Sequence, residues 1–493
     1  MAQAAESPIQ EKWDGDHLDR ASSARFLTTY LNGIYHEENK DAYAGHFVLN
    51  LNASWGHGKS FLIEKWVEDL RNANYPVVKF DAWANDFSKD PLLGFLSELY
   101  AALDPWLKDI APAKAAMRNV KKSASKVISA SVGLFAGGAA AALTEVSLNA
   151  LTGALGASDS TTDAVASKVA DSAGKLADRA LKEHRETKKA ISDFRKHLET
   201  LIKAIEGNNK GKRLPLYIFV DELDRCRPTY AIELLENIKH LFGVKGVFFI
   251  VATNKEQLCH SIGAVYGSGF DAATYLGRFF DQEYTLPEPN NRQYAKFLFD
   301  KYQIKDEDRF ITPLHLDEKH FPHLQATFAA FSDAFKLSLR DQGQTAHRLK
   351  AILSVCTSEI VYFDYLVFLL MLKKKSEPLL NQISSQTRFD SNKFKEDLSK
   401  IFNLHIPMKV PLVSQWNGVM RESEHSIVDL VDKYLQKISK TKWAYISASR
   451  GDNDENFRTE LAFLREAKST SSRVELFSFA EYPNLVNQVG QLT

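Results

Sequence analysis

Cysteine is nearly missing from this chain. Cys226, Cys259 and Cys356 are scattered through 493 residues, odd in number and without metal-ligand spacing. That argues against a disulfide framework and a cysteine-rich metal site, and fits reduced thiols in an intracellular protein. There is no excess of either charge. Lys+Arg and Asp+Glu stand at 62 each, so no global field draws the chain to nucleic acid or anionic lipid, although a local basic patch remains open. The N-terminal stretch MAQAAESPIQEKWDGD carries no apolar run of signal type, and the expectation is a cytoplasmic protein. What is present, 44% hydrophobic and 25% charged residues, is an ordinary globular composition with length for two or more domains.

The first informative stretch is HFVLNLN (46–52) followed by ASWGHGKSFLIEKWVEDLRNA (53–73). The short β-branched and aromatic run reads as a strand. Leu62, Trp66 and Leu70 recur at helical spacing behind it. Between them the pattern G-x-x-x-x-G-K-[ST] is matched except at its first position, where Ala53 stands. Gly56 and Gly58 can adopt backbone conformations that a β-carbon blocks, turning successive N–H groups into an anion nest ahead of a helix N-terminus. Ser54, Trp55, Gly56, His57, Gly58, Lys59, Ser60 and Phe61 are the candidate phosphate-binding stretch. In it Lys59 reaches the β- and γ-phosphates, Ser60 ligates Mg²⁺, and His57 carries no chemistry.

A second stretch supplies the acids. LPLYIFVDELDRCRP (214–228) opens with the continuous apolar run of a strand buried on both faces of a parallel sheet and ends in Asp221-Glu222. Asp221 at such a strand end can hold Mg²⁺, and Glu222 can act as general base on water. Together the two stretches predict nucleotide binding.

ASWGHGKSFLIEKW, FDAWANDFSKDPLLGFL (80–96) and DELDRCRP, in that order, resemble the KAP family of phosphate-loop NTPases, and DHLDRASSARFLTTYL (16–31) is similar to that family's N-terminal helix. The resemblance covers residues 14–290 and implies an α/β parallel-sheet core of the additional-strand, AAA+-like class, with ATP and Mg²⁺ as ligands. It also implies a strand between the two motif strands, which KGVFFIVATN (245–254) fits. Thr253 and Asn254 would face the γ-phosphate there, or form an ordinary strand-end turn. In YLGRFFDQEYTLPEP (275–289), a helix leading into a last strand, Arg278 resembles an arginine finger acting on a neighbouring subunit; a surface salt bridge is the alternative. Asp224 and Arg225 contact that neighbour or orient the acids. Trp83 is expected to pack in the core beside the sheet.

Residues 61–220 hold more than one crossover requires. Within them VISASVGLFAGGAAAALT (127–144) and VSLNALTGALGAS (146–158) are free of charge, with Lys121, Lys122 and Lys126 just before. KAP proteins often carry membrane segments here, and a span needs about 20 predominantly apolar residues. The first run is diluted by Ser, Gly and Ala, and the second is shorter. The expectation is a soluble or surface-associating hairpin, with membrane association through 127–158 as the alternative, followed by a long amphipathic helix over 159–205. After 290 the chain reads as mostly helical. FSDAFKLSLRDQGQTAHRLKAIL (331–353) resembles the lid segment of these ATPases, with Arg340 the first candidate for nucleotide contact and Arg348 the second. YFDYLVFLLML (362–372) reads as lid core, the KKK at 373–375 as its solvated end, and SASRGDNDENFRTE (447–460) as a polar loop.

These readings predict an α/β phosphate-loop NTPase divided as 1–104 and 208–290 for the core, 105–207 for a helical insertion, 291–400 for a helical lid-like domain, and 401–493 without a readable role. The expected activity is ATP hydrolysis, with Glu222, Lys59, Asn254, Arg278 and Arg340 catalytic and Ser60 and Asp221 on the metal. The resemblance further implies a bacterial antiphage-defence member, homo-oligomeric, sensing for or driving partner effector proteins. Two rivals stand beside it: a nucleotide-gated scaffold without important turnover, and a membrane-tethered signalling ATPase. Nucleic acid stays open as a partner but is not indicated by net charge.

Overall fold

A computed structural model of the chain describes residues 9–10, 12–37, 46–88, 90–107, 110–135, 162–207, 213–241, 243–305, 310–311, 320–322, 324–356, 361–384, 391–401, 407–414, 420–426 and 481–489. Two compact units are formed, one from Met1–Ser54 and Lys59–Leu286, the other from Trp55–Gly58 and Pro287–Thr493.

In the first unit, the described strands β1 (His46–Asn52), β2 (Val77–Asp81), β3 (Leu216–Asp221), β4 (Val247–Thr253) and β5 (Gln282–Thr285) form one sheet in the order β2-β3-β4-β1-β5. Every pairing is parallel. The strand inserted between the two motif strands is β4, as the resemblance implied. The ladder runs on past β1, where the Ala53 N–H donates to the Thr253 carbonyl at 3.1 Å.

Both faces of the sheet are covered, and the period-two alternation of strand side chains decides which residue meets which layer. Phe47, Leu49, Leu51, Phe219, Phe248 and Ile250 pack with α1 (Arg20–Glu37) and α2 (Lys59–Asn72). Val48, Ile218, Val220, Phe249 and Val251 pack on the other side. There they meet α3 (Pro91–Leu107), α4 (Ala111–Phe135), α5 (Thr162–Glu206), α6 (Pro228–Leu241) and α7 (Lys255–Tyr266). The helix α1 begins where the Asp16 carboxylate accepts the Arg20 and Ala21 N–H groups, both at 2.8 Å, satisfying donors that a first turn otherwise leaves orphaned.

The insertion is rooted in this core. Ala113, Met117, Val120, Ala124 and Val127 recur along α4 at three- and four-residue spacing, and Ala190, Phe194, Leu198, Leu201 and Ile205 do the same along α5. Both stripes share one buried cluster with the strands. The long helix expected over 159–205 is α5. Of the charge-free runs, 127–135 continues α4, while residues 136–158 lie outside the described residues. No helix among the described residues is long and apolar enough to cross a membrane.

The second unit is built around α9 (Asn291–Tyr302), α10 (Leu324–Ala334), α11 (Leu339–Val355) and α12 (Phe363–Lys375); a short helix α8 (Ala272–Leu276) closes the first unit. The stretch read as lid core is fully buried from Phe363 to Leu372. Helices α13 (Glu377–Ser384), α14 (Ser391–Ile401) and α15 (Tyr482–Val489) pack beside it. The lysine run at 373–375 is half-exposed to exposed, in keeping with a solvated helix end, and its ammonium groups also find partners. Lys373 donates to Asn487 Oδ1 at 3.0 Å, Lys374 pairs with Asp341 at 3.0 Å, and Lys375 donates to the Lys336 carbonyl at 2.9 Å. Strands also occur in this half. A hairpin of Pro407–Ser414 and Met420–Ser426 is extended by His320–Pro322, and Phe310–Ile311 pairs with Val361–Tyr362. Pro407 and Pro411, which a helix interior does not tolerate, exclude a helix over the first of these strands. The segment 447–460 lies outside the described residues.

Candidate functional site

The loop after β1 turns on Gly56 and Gly58, whose φ values of 79° and 83° are open to glycine at no steric cost. Ala53, where the nominal motif has its first glycine, is buried at the strand exit, and its methyl sits in the core without disturbing the turn. Ser54 and Trp55 are exposed, and His57 and Phe61 are partly so. Lys59 and Ser60 open α2. The buried Lys59 ammonium donates to the Ala53 and Ser54 carbonyls. Burial pushes its pKa below the ordinary lysine value, against the opposing fields of Asp224, Asp221 and Glu222.

The acids arrive from β3. Asp221 is buried, and burial raises its carboxyl pKa; the Glu222 N–H, Lys79 and the nearby Ser60 hydroxyl oppose the rise. Asp221 Oδ1 accepts the Glu222 N–H at 2.9 Å. The Ser60 hydroxyl and the Asp221 carboxylate, read from motifs far apart in sequence, are thus side by side. Hard oxygen donors of this kind, one hydroxyl and one carboxylate leaving most of the coordination shell to phosphate and water, suit Mg²⁺. Among the described residues no group of three or more His, Cys, Asp or Glu side chains forms a protein-only metal site.

Glu222 follows with φ 60°, a left-handed conformation that side chains with a β-carbon seldom take. Burial and the Asp221 charge push its pKa up, and Arg225 pulls it down. Arg225 Nε lies 2.6 Å from Glu222 Oε2, and its guanidinium lies over the Trp83 ring, 5.6 Å from the centroid. Trp83 is 55% exposed, so it is not the core residue that the sequence reading expected. It sits on the loop leaving β2, outside the sheet layers. That loop is joined to the acid-bearing turn by Arg227, whose Nε donates to Asp86 Oδ1 at 2.8 Å and whose N–H donates to Asp86 Oδ2 at 2.9 Å. Sequence reasoning passed over this clamp. The two arginines flanking Cys226 beside a loop containing Asp86 were its only trace.

The remaining candidates are dispersed. Asn254 is buried at the end of β4, and its amide oxygen caps α7 by accepting the Gln257 N–H, leaving the amide NH₂ for other partners. Thr253 is spent within the sheet, donating to Asn50 Oδ1 at 2.7 Å. Arg278 is exposed beyond α8. Its carbonyl accepts Lys239 Nζ at 3.0 Å, while its guanidinium makes no ion pair with the described residues. Arg340 is exposed in the first turn of α11, and Arg348 is partly buried two turns later, both in the second unit.

A family model described as the KAP family P-loop domain matches residues 39–356. The chain belongs to the KAP family. The match begins just before β1 and takes in both motif strands and the whole insertion. No curated protein matches the KAP chain at a significant level. Two solved structures of the Aeropyrum pernix ORC2 protein are similar to it. One, in ADPNP and ADP complexes, has 12% identity over 96% of this chain and 86% of its own, with a TM-score of 0.30. The other, in the ADP form, has 11% identity over 94% and 92%, with a TM-score of 0.31. Likeness at those scores carries no inference about fold or function. The α/β phosphate-loop architecture stands on the parallel sheet and its motif loops.

Proposed function

We propose that this KAP chain hydrolyses ATP. The observation that carries the reading is the approach of the Ser60 hydroxyl to the Asp221 carboxylate, which it helps keep ionised, because it brings the helix-opening hydroxyl and the strand-end carboxylate of the two motifs together. In this reading the loop N–H groups and the α2 N-terminus bind the phosphates, and Lys59 neutralises their charge. Ser60 and Asp221 would hold Mg²⁺, which when bound neutralises charge developing on the transferring group. Glu222 takes the proton of the attacking water, Asn254 offers its amide NH₂ to that water, and Arg340 contacts nucleotide. Arg278, exposed and without an ion pair among the described residues, acts on the site of a second copy.

At the level of biology, the family resemblance supports a bacterial antiphage system in which this ATPase senses for, or drives, a partner effector. Loss of phage protection in cells carrying Lys59→Ala, with the neighbouring genes intact, tests that role.

Two substitutions test the chemistry. Lys59→Ala is expected to abolish ATP binding in a filter assay, since the residue supplies both charge and donors at the phosphates. Glu222→Gln is expected to bind ATP normally and lose about 10²–10⁴-fold in turnover. Near-normal binding by the first variant would sink the loop assignment. Turnover above about a tenth of wild type in the second would remove Glu222 as the base.

A further inference from the structure

Helix α4 carries Lys114, Arg118, Lys121, Lys122 and Lys126 and not one acid over Ala111–Phe135. In a chain whose charges balance at 62 each, this is a local excess of one sign. The spacing puts all five cations on one side of the helix. The opposite side is the stripe of Ala113, Met117, Val120, Ala124 and Val127 that packs into the core. All five are exposed, and none pairs with a carboxylate among the described residues. Lys121 alone has an aromatic neighbour, the Tyr100 ring at 5.1 Å from its centroid. The partner helix α5 is built differently. It interleaves acids with bases, and on it Lys203 pairs with Glu199 at 2.7 Å.

Like charges four residues apart, as in Lys114–Arg118, Arg118–Lys122 and Lys122–Lys126, destabilise a helix, and no acid on α4 relieves them. A polyanion laid along this face would. From Lys114 to Lys126 the stripe runs about 18 Å, a length over which duplex DNA presents about ten charges. Between the cations the exposed side chains are Ala115, Asn119 and Ser125. That set has no aromatic ring on which an unpaired base could stack, and no large apolar group to enter a bilayer, since the apolar side of α4 is spent on the core. We propose that this face of α4 binds the phosphate backbone of double-stranded DNA without reading its sequence. The surface holds none of the residues at the nucleotide site, so it stands or falls apart from the ATPase reading.

Fluorescence anisotropy of a labelled 24-base-pair DNA duplex with the full chain, without nucleotide, tests it. Five phosphate contacts give a slope of about −4.5 for log affinity against log salt, so binding is expected to weaken about 500-fold between 50 and 200 mM NaCl. Two duplexes of unrelated sequence should bind alike. Replacing all five cations with Gln should abolish binding at 50 mM, and Lys122→Gln alone should reduce the slope by about 1. Changing the exposed Lys296, Lys301, Lys305, Lys393 and Lys400 of the second unit to Gln removes the same charge and should leave binding intact. The proposal is overturned if the wild type binds no duplex at 50 mM, if the α4 variant binds as well as wild type, or if the second-unit variant loses as much. A strong preference between the two sequences, or RNA duplex bound more than about tenfold tighter than DNA, overturns it as well. So does cosedimentation with phosphatidylserine vesicles that depends on the five cations while DNA is not bound, which would make the face a membrane contact. Should the fivefold variant melt early, Lys122→Gln decides, and an unchanged salt slope overturns the proposal.

Discussion

Trp66 illustrates what single side chains of α2 contribute. It is fully buried, its Nε1–H donates to Thr28 Oγ1 at 2.7 Å, and its ring meets Phe219 edge-on with centroids 5.1 Å apart. The ring therefore ties α1, α2 and β3 together just below the phosphate loop. Replacing it with alanine opens a large cavity and removes one of the two hydrogen bonds at the Thr28 hydroxyl, which still donates to the Ala24 carbonyl at 2.7 Å. Trp66→Ala is expected to cost about 3–5 kcal/mol, read from the shift of a urea transition followed by circular dichroism. Residue-scale chemistry was partly legible in the sequence. Lys59, Ser60 and Asp221 stood out because the phosphate and Mg²⁺ roles proposed for them need those groups at those spacings. Trp83 did not, since a tryptophan near an apolar strand reads as core unless its neighbour in space is known, and Arg225 lies far from it in sequence.

Elements were legible where burial imposes a period. The strands β1, β3 and β4 fall inside the runs predicted for them: β3 and β4 because a parallel strand covered on both faces is a continuous apolar run, β1 because its Phe, Val and Leu residues outweigh His46, Asn50 and Asn52. The hairpin at 407–426 was missed: its second strand, MRESEHS, is polar and gives no such signal. Also missed was the attachment of the N-terminal segment, which lacks regular structure around Ile9 and Trp13 yet buries both side chains. Asp69 on α2 holds it, accepting Trp13 Nε1–H at 2.7 Å and the Gln10 N–H at 3.0 Å. The carboxylate is itself buried, so each donor depends on it. Asp69→Ala should release this segment, costing about 1–3 kcal/mol by leaving the buried Trp13 Nε1–H unpaired. Limited proteolysis should then cut near residues 10–15 well before the sheet is lost, and an unchanged cleavage pattern would show that apolar packing alone holds the segment.

The assembly of the molecule was foreseeable only through resemblance. A strand order cannot be read from apolar runs, and the placement of β4 between β1 and β3 followed from the implied class. Self-association is the corresponding open question, and Arg278 is the residue on which it turns. A finger supplied in trans works only when a second copy brings it to the phosphoryl group. Specific activity is then expected to rise with protein concentration, and Arg278→Ala should bind ATP but hydrolyse it about 10³-fold more slowly. Mixing that variant with Glu222→Gln should restore part of the rate, because each chain provides the group that the other lacks. Activity per chain that is flat on dilution, with no recovery on mixing, would leave Arg278 a surface residue. The left-handed backbone at Glu222 has a consequence on a longer timescale. A residue with a β-carbon bears about 1–2 kcal/mol there that glycine does not, while the partly exposed ion pair with Arg225 returns about 1 kcal/mol or less. The fold alone therefore favours glycine at 222, and only the need for a carboxylate opposes it. A gene copy freed from that need would drift toward a sturdier protein that grips nucleotide and no longer turns it over, so inactive descendants of this chain would arise by gaining stability rather than by decay.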